Sequence, residues 1–359
     1  MKKLIVNIQE KPNNYPIIIG DNLVGTIDSL FSFGKYSKIA IIAGKYMPEK
    51  WVKLLKESLN CESSVIVVDG DEKSKNINTV IDIWNQFKNI GLDRESLVIN
   101  LGGGVICDMG GFAASTYMRG VDFLQIPTTI LAQVDASVGG KVGINFNNLK
   151  NYIGVFQQPI GVVIDVDMLS TLPRRVYDQG FGEIVKHGLI ADRAYFEFVT
   201  SKKPEEFNTS ELTQILAKSN EIKIEFVKED QKEQGIRKVI NFGHTIGHAI
   251  ESLSFETDKP FLHGEAVHLG LIAETKISEL MGLLSEEDAK AVYERLSHIG
   301  LPMSVTNINS REIMDRLKWD KKVVKGEVNW TLLDAIGHAV YNQKVDSKIV
   351  EEALKMIVK

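Results

Sequence analysis

The amino-acid sequence predicts an α/β protein: a mostly parallel sheet with helices on both faces, followed by a mainly α-helical second half. Three observations predict it. Apolar strand-like runs alternate with helical periodicity through the first half. A glycine-rich turn joins one of those strands to a helix. From about Arg174 onward, β-branched runs give way to long stretches of helical periodicity.

The strand-like runs are Ile39–Ala43, Val65–Val68, Leu97–Leu101, Phe123–Ile126 and Val162–Ile164, with helical patterns such as Asn78–Ile90 between them. Strands separated by helices must cross over, which makes the sheet parallel. Leu4–Ile8 and Ile17–Ile19 read as an extra hairpin at the sheet edge. In the second half, helical patterns cover Gly182–Ile190, Leu212–Lys228, Val239–Leu253, Glu265–Met281, Glu286–Ser297 and Val350–Val358. Only Val328–Leu332 and His338–Tyr341 suggest late strands. A boundary near residues 172–180, after Leu172-Pro173, gives domains of 1–175 and 176–359. The sequence shows no internal repeat and no long linker, so the halves are expected to pack closely, with a site in the cleft between them.

Composition narrows the function classes. The 359 residues are 44% hydrophobic and 25% charged, with a net charge of −5, which gives no sign of nucleic-acid or membrane binding. No stretch approaches the roughly 20 apolar residues that span a bilayer. Cys61 and Cys107 match no metal or redox spacing and read as reduced thiols. The start of the chain lacks the apolar run of a signal peptide, and a cytoplasmic location is expected.

The segment Leu97–Gly111 reads as strand, triple-glycine turn and helix. Its glycines let the backbone approach a ligand, and the helix N-terminus suits a diphosphate. The dinucleotide fingerprint is not met, because Cys107 stands where the third glycine belongs. Gly70-Asp-Glu-Lys-Ser-Lys75 follows another strand; by itself it reads as a solvated charged turn, though a carboxylate there can hold ribose hydroxyls. Pro127-Thr-Thr129 ends a strand with two hydroxyls on the crevice side. Arg119, Lys141 and Lys150 are either local positive charge for a phosphate-bearing substrate or unrelated surface cations.

Histidine placement points to metal or acid–base chemistry. Four of the seven histidines, His244, His248, His263 and His268, fall within 25 residues. His244 and His248 are spaced i, i+4 and share a helix face. Gly243 and Gly247 beside them bring another backbone or a ligand close. Glu183 and Lys186, at i, i+3, are an ordinary helical ion pair, or Glu183 completes a Glu/His/His set with two of the clustered histidines. Thr245 occupies the second position of His244–His248, so the general-base glutamate of a zincin motif is missing. His268, His298 and His338 read as structural, and His187 is left open.

Taken together, the sequence resembles the 3-dehydroquinate synthase family. The resemblance is carried by Gly102–Asp108, Pro127–Thr129, Val134–Lys141, Lys150-Asn151, Thr171–Pro173, Glu183–Lys186, Gly235–Arg237, Asn241–His248 and His263–Val267, in order. It implies a Rossmann-like domain, a helical C-terminal domain and a homodimer. It also implies an NAD- and Zn2+-dependent (or Co2+-dependent) lyase acting on a phosphorylated sugar acid, 3-deoxy-D-arabino-heptulosonate 7-phosphate. Transient oxidation, phosphate elimination, re-reduction and an intramolecular aldol closure would give 3-dehydroquinate.

By position, the resemblance makes Glu183, His244 and His263 the metal ligands and leaves His248 to the acid–base network. Arg119, Lys141, Asn151, Lys186, Lys223, Arg237 and Asn241 would line the substrate pocket, with Asp135 and Glu233 as polar partners and Lys321 or Lys322 closing it. NAD would contact Gly70, Asp71, Glu72 and Lys75, then Gly103, Gly104, Val105 and Asp108. It would also meet Thr128, Thr129, Lys141 and Lys150, and the turn carrying Met168, Leu169 and Thr171. The sequence departs from the family's pattern at Ala43-Gly44-Lys45, where Thr-Asp is common, and at Cys107, Phe181-Gly182 and His268. The competing readings are another sugar-phosphate cyclase, such as an aminodehydroquinate or inosose synthase, a metal-dependent polyol dehydrogenase, and a catalytically dead binding protein. A dehydrogenase would turn over free NADH, whereas a cyclase would not.

Overall fold

A computed structural model describes residues 14–147, 149–317, 323–324 and 327–359. The first half is built on a six-stranded sheet: β1 (Ile17–Gly20), β2 (Ile39–Gly44), β3 (Ser63–Val68), β4 (Leu97–Gly102), β5 (Asp122–Pro127) and, after a hairpin, β8 (Gly161–Asp165). The order is β1-β8-β5-β4-β2-β3, and every pairing is parallel. After the short helix α1 (Ile27–Leu30), the crossovers are α2 (Glu49–Ser58), α3 (Ile77–Ile90) and α4 (Gly104–Thr116). Asn76 caps α3 by accepting from the Asn78 and Thr79 N–H groups, and Gly91 ends it in the left-handed conformation.

The sheet order reverses between β2 and β4, which opens a crevice at their carboxyl ends. The loops after β2, β3 and β4 meet there. The Gly44 and Gly70 backbones nearly touch, and Ile106 of α4 fills the space against both and against Gly102, where a Cβ would lie 2.6 Å from its side chain. Cys107 is fully buried, so the position of the fingerprint's third glycine serves helix–sheet packing.

The edge strand Ile17–Gly20 pairs in parallel with β8; the other arm of the expected edge hairpin, Leu4–Ile8, lies outside the described residues. A hairpin that the sequence did not suggest, β6 (Lys141–Phe146) and β7 (Leu149–Phe156), projects between β5 and β8. It exposes Phe146, Leu149, Tyr152, Ile153, Val155 and Phe156.

The second half contains α5 (Arg174–Gln179), α6 (Phe181–Ala191), α7 (Arg193–Val199), α8 (Thr209–Glu229), α9 (His244–Ser254), α10 (His263–Leu280), α11 (Glu286–His298), α12 (Ser310–Leu317) and α13 (Ser347–Leu354). The late strands form an antiparallel pair, Trp330–Ala335 with His338–Gln343. The helix expected from Val239 is broken: a 3-10 turn covers Ile236–Asn241, Gly243 takes φ 78°, and α9 begins at His244. One apolar core unites the helices with Val162, Ile164 and Leu169 of the first half. The sheet's other packing forms two smaller cores, one around Phe87 and Phe123 and one around Trp51 and Leu55.

Candidate active site

Close backbone contact sets the spacing of the histidine cluster. A Cβ on Gly182 would lie 2.3 Å from the Gly264 carbonyl oxygen, and one on Gly270 would lie 1.8 Å from that of Gly243. Glycine at these positions lets α6 and α9 press against α10. The glycines flanking His244 and His248 therefore admit another backbone. The start of α10 is fixed by Arg175, which donates to both carboxylate oxygens of Glu265, and by the Gln179 side chain, which accepts from the Gly264 N–H at 2.8 Å. The start of α9 is fixed by Glu274 of α10, which accepts from the Gly243 and Ile246 N–H groups at 2.7 and 2.9 Å.

This packing brings Glu183 Oε1 to 3.3 Å from His244 Nε2 and 3.4 Å from His263 Nε2. The far nitrogens are engaged: His244 Nδ1 meets the Phe242 carbonyl at 3.1 Å, and His263 Nδ1 meets Glu251 Oε2 at 3.4 Å. An Nδ1–H donated outward leaves the Nε2 lone pair pointing inward. Glu183 Oε1 is buried, and no conventional hydrogen bond satisfies it among the described residues. These atoms suit a divalent cation such as Zn2+, as do those of the trio His244, His248 and His263, whose ligand atoms all lie within 4.8 Å of one another.

The electrostatics agree. Burial would raise Glu183, but the Lys186 charge, with the His244 imidazole next, outweighs it and holds the carboxyl well below its usual range. Burial holds His244 below its ordinary value. Burial also opposes charge on His263, but the Glu251 and Glu183 carboxylates push it up to about 10. His248 is close by: its donor atom lies within 4.8 Å of those of His244 and His263. Unlike those two, however, it lines the open cleft.

That cleft has a volume of about 600 Å3 and is lined by Asp108, Lys141, Asn151, Glu233, Asn241 and His248. Lys141 is in contact with Glu233, which Asn241 holds by donating Nδ2–H at 2.6 Å. Lys141 is half-exposed; partial loss of water around its ammonium, with the Arg237 and Lys223 charges next, presses it down to about 7. Lys223 of α8 pairs with Asp135 in the π-helical turn Ala132–Ala136, and Lys186 pairs with Glu183 on α6; Lys223, Lys186 and Glu183 are buried. Arg237 is buried against the Gly139 carbonyl, where a Cβ would sit 2.4 Å from its guanidinium, so the turn at φ 100° requires glycine.

In the Gly70–Lys75 stretch, Gly70, Asp71 and Lys73 are exposed and the chain turns inward only at its end. Lys75 is 3% exposed, pairs with Asp108 at 2.5 Å and also bonds Asn151. Glu72 accepts from Asn145 of the hairpin at 2.8 Å, while Asp71 closes the loop by accepting from the Ser74 N–H. Gly103, Gly104 and Val105 form the N-terminus of α4, which no side chain caps, beside Thr128 and Thr129 at the end of β5.

Some expected site residues lie elsewhere. Arg119 follows α4 at the amino-terminal end of β5, opposite the crevice, so it does not line the cleft of its own chain. Met168 and Leu169 are buried in the core, and the Thr171 hydroxyl accepts from Trp51 Nε1 at 3.0 Å, so the side chains of this turn are engaged in packing and in that hydrogen bond. Lys321 and Lys322 lie outside the described residues. Sequence reasoning missed Glu251 and Glu274, and also Lys238, Asn329, Thr331 and Asn342, which line the cleft from the late strands and their neighbours. His187 is buried against Ser219 at 2.6 Å, and neither ring nitrogen of the fully buried His268 has a partner among the described residues.

A family model described as 3-dehydroquinate synthase N-terminal matches residues 65–179, and one described as 3-dehydroquinate synthase C-terminal matches residues 180–323. The chain belongs to the 3-dehydroquinate synthase family. Curated relatives named 3-dehydroquinate synthase include one from Ruminiclostridium cellulolyticum, 38% identical over 97% of both chains. Another, from Thermodesulfovibrio yellowstonii, is 38% identical over 100% of this chain and 99% of its own.

Among solved structures, a 2-deoxy-scyllo-inosose synthase complexed with carbaglucose-6-phosphate, NAD+ and Co2+ superposes with a TM-score of 0.86, at 26% identity over 94% of this chain and 95% of that one. The 2-epi-5-epi-valiolone synthase of Streptomyces hygroscopicus, 24% identical over 98% of both chains, shares the fold with a TM-score of 0.88. A maleylacetate reductase from Agrobacterium tumefaciens does so at 0.69, with 12% identity over 98% of this chain and 99% of its own. The synthase family thus shares its architecture with reductases, and the residues at the cleft must separate the two chemistries.

Proposed function

We propose that this protein is a 3-dehydroquinate synthase, converting 3-deoxy-D-arabino-heptulosonate 7-phosphate to 3-dehydroquinate and phosphate. The observation that carries the reading is the convergence of Glu183, His244 and His263 beside a cleft furnished with lysines, in a chain of this family. The curated relatives at 38% identity carry this name, whereas the inosose synthase stands at 26%. When bound, NAD supplies the transient oxidation and the later re-reduction, and the metal ion acidifies the hydroxyls it polarises.

The chain's own residues bind, orient and move protons. Glu183, His244 and His263 hold the metal. Lys141, Lys186, Lys223 and Arg237 bring positive charge toward the bound phosphate, which restores full charge to Lys141. Asn241 and Glu233 fix the position of Lys141. His248 faces the cleft and serves as the proton carrier near the reacting hydroxyls. Asp135 with Lys223, and Arg237 with the Gly139 carbonyl, tie the two halves around one flexible intermediate, which favours a single productive shape. Gly70–Lys75, the α4 N-terminus, Thr128, Thr129 and Lys150 take the cofactor, and the 166–171 turn meets it through backbone.

The two domains divide between residues 175 and 176. The exposed apolar hairpin supports association as a homodimer, and the free thiols Cys61 and Cys107 support a reducing, cytoplasmic setting. No described helix is long and apolar enough to cross a membrane. The test is phosphate release from the heptulosonate phosphate with Zn2+ or Co2+ and NAD in catalytic amount. Release of many phosphates per NAD, abolished by a chelator, is expected. Steady NADH accumulation without phosphate would refute the reading in favour of a dehydrogenase.

A further inference from the structure

We propose that Glu251 is a positioning residue that couples the cofactor side of the cleft to metal binding. The inference rests on the reading of His263 as a ligand and of Lys150 as a cofactor contact. Glu251 lies on α9 and is 5% exposed. Its two oxygens serve opposite halves of the molecule. Oε1 takes the ammonium of Lys150, on β7 of the first half, at 2.7 Å; Oε2 faces His263 Nδ1, on α10, at 3.4 Å. Lys150 also lies 4.8 Å from the centroid of the Phe255 ring, one turn along from Glu251.

A ligating histidine is tuned by the partner of its outer N–H: the more negative that partner, the better a donor the inner nitrogen becomes. Here the partner's charge is shared with Lys150. An anionic cofactor that draws Lys150 toward itself leaves the Glu251 charge to His263 alone, so the cofactor tightens the metal. Linkage then requires the metal to tighten the cofactor by the same factor. This gives the enzyme a reason to hold its redox cofactor and its metal together, although the two groups are carried by different halves of the chain.

The test is titration of Zn2+ against a chromogenic chelator, with and without saturating NAD, in the full-length protein and in Glu251→Gln and Lys150→Met, with the Co2+ absorption spectrum as a second readout. In the unaltered protein, NAD should tighten Zn2+ about fivefold or more. Glu251→Gln should weaken Zn2+ about tenfold or more and abolish the NAD dependence. Lys150→Met, which frees the Glu251 charge permanently, should bind Zn2+ without NAD about as tightly as the unaltered protein does with NAD, and should gain nothing further when NAD is raised to saturation. Thermal midpoints close to that of the unaltered protein show that both variants fold. NAD-independent Zn2+ affinity in the unaltered protein, or full NAD dependence in Glu251→Gln, overturns the coupling. Unchanged Zn2+ affinity in His263→Ala overturns the ligand reading instead, which keeps the two failures apart.

Discussion

The two sides of the cleft are built differently. On the helical side, Glu183, His244 and His263 are held by helices pressed together at glycine contacts, and each is backed by a further buried group. On the sheet side, the proposed cofactor surface consists of loop backbone, an uncapped helix start and a half-exposed hairpin, tied together by Lys75, Glu72 and Asn145. The difference teaches that the first surface is fixed by the packing of buried side chains, whereas the second is mostly backbone and partly exposed loop. Substitutions should therefore do their greatest damage on the helical side.

Glu183→Ala should abolish stoichiometric metal and lower kcat/KM by about a thousandfold or more, equivalent to ~4 kcal/mol of transition-state stabilisation. Because Lys186 is then buried without its partner, unfolding should be easier by about 3–5 kcal/mol, measurable by urea denaturation. A near-normal metal content would break the contrast. Lys223→Met should keep the metal but lower kcat/KM about a hundredfold, with a loss of stability from the stranded Asp135 carboxylate. The double variant Asp135→Asn/Lys223→Met should recover stability without recovering activity, which separates the two causes.

On the sheet side, Lys75→Met removes a charged hydrogen bond to Asp108, and the NAD dissociation constant should rise about tenfold while bound metal is unchanged. The smallest effect concerns acid stability. Burial pushes His187 and His268 down to about 3, so below the unfolded value near 6.5 the unfolded chain binds more protons than the folded one. Stability from these groups is full above pH 6.5 and falls as pH drops toward 3, by about 1.4 kcal/mol per pH unit for each group. His268→Leu should remove one of the two slopes in urea midpoints measured between pH 7 and 5; an unchanged slope would place the acid sensitivity elsewhere.

The sheet was legible in the sequence because buried parallel strands are written as unbroken apolar runs, as at Ile39–Ala43 and Leu97–Leu101. The helical half was legible from periodicity, but the true start of α9 was not: Val239 continues the pattern, and only the positive φ of Gly243 breaks it. The β6–β7 hairpin escaped notice because its strands mix exposed apolar, glycine and cationic residues without alternation. Glu251 and Glu274 look like solvated-face charges in sequence; they become buried only where α9 packs on α10. Arg119 lies away from the cleft of its own chain for a related reason. Its residue type suits a phosphate, but the direction of β5 sends it to the far end of the sheet.

The central claim is the division of labour among three neighbouring histidines, and metal analysis of two variants tests it most directly. His248→Ala should retain close to one bound Zn2+ per chain, and His263→Ala should retain almost none. Equal loss in both would contradict the account, because it would make His248 a ligand in place of Glu183.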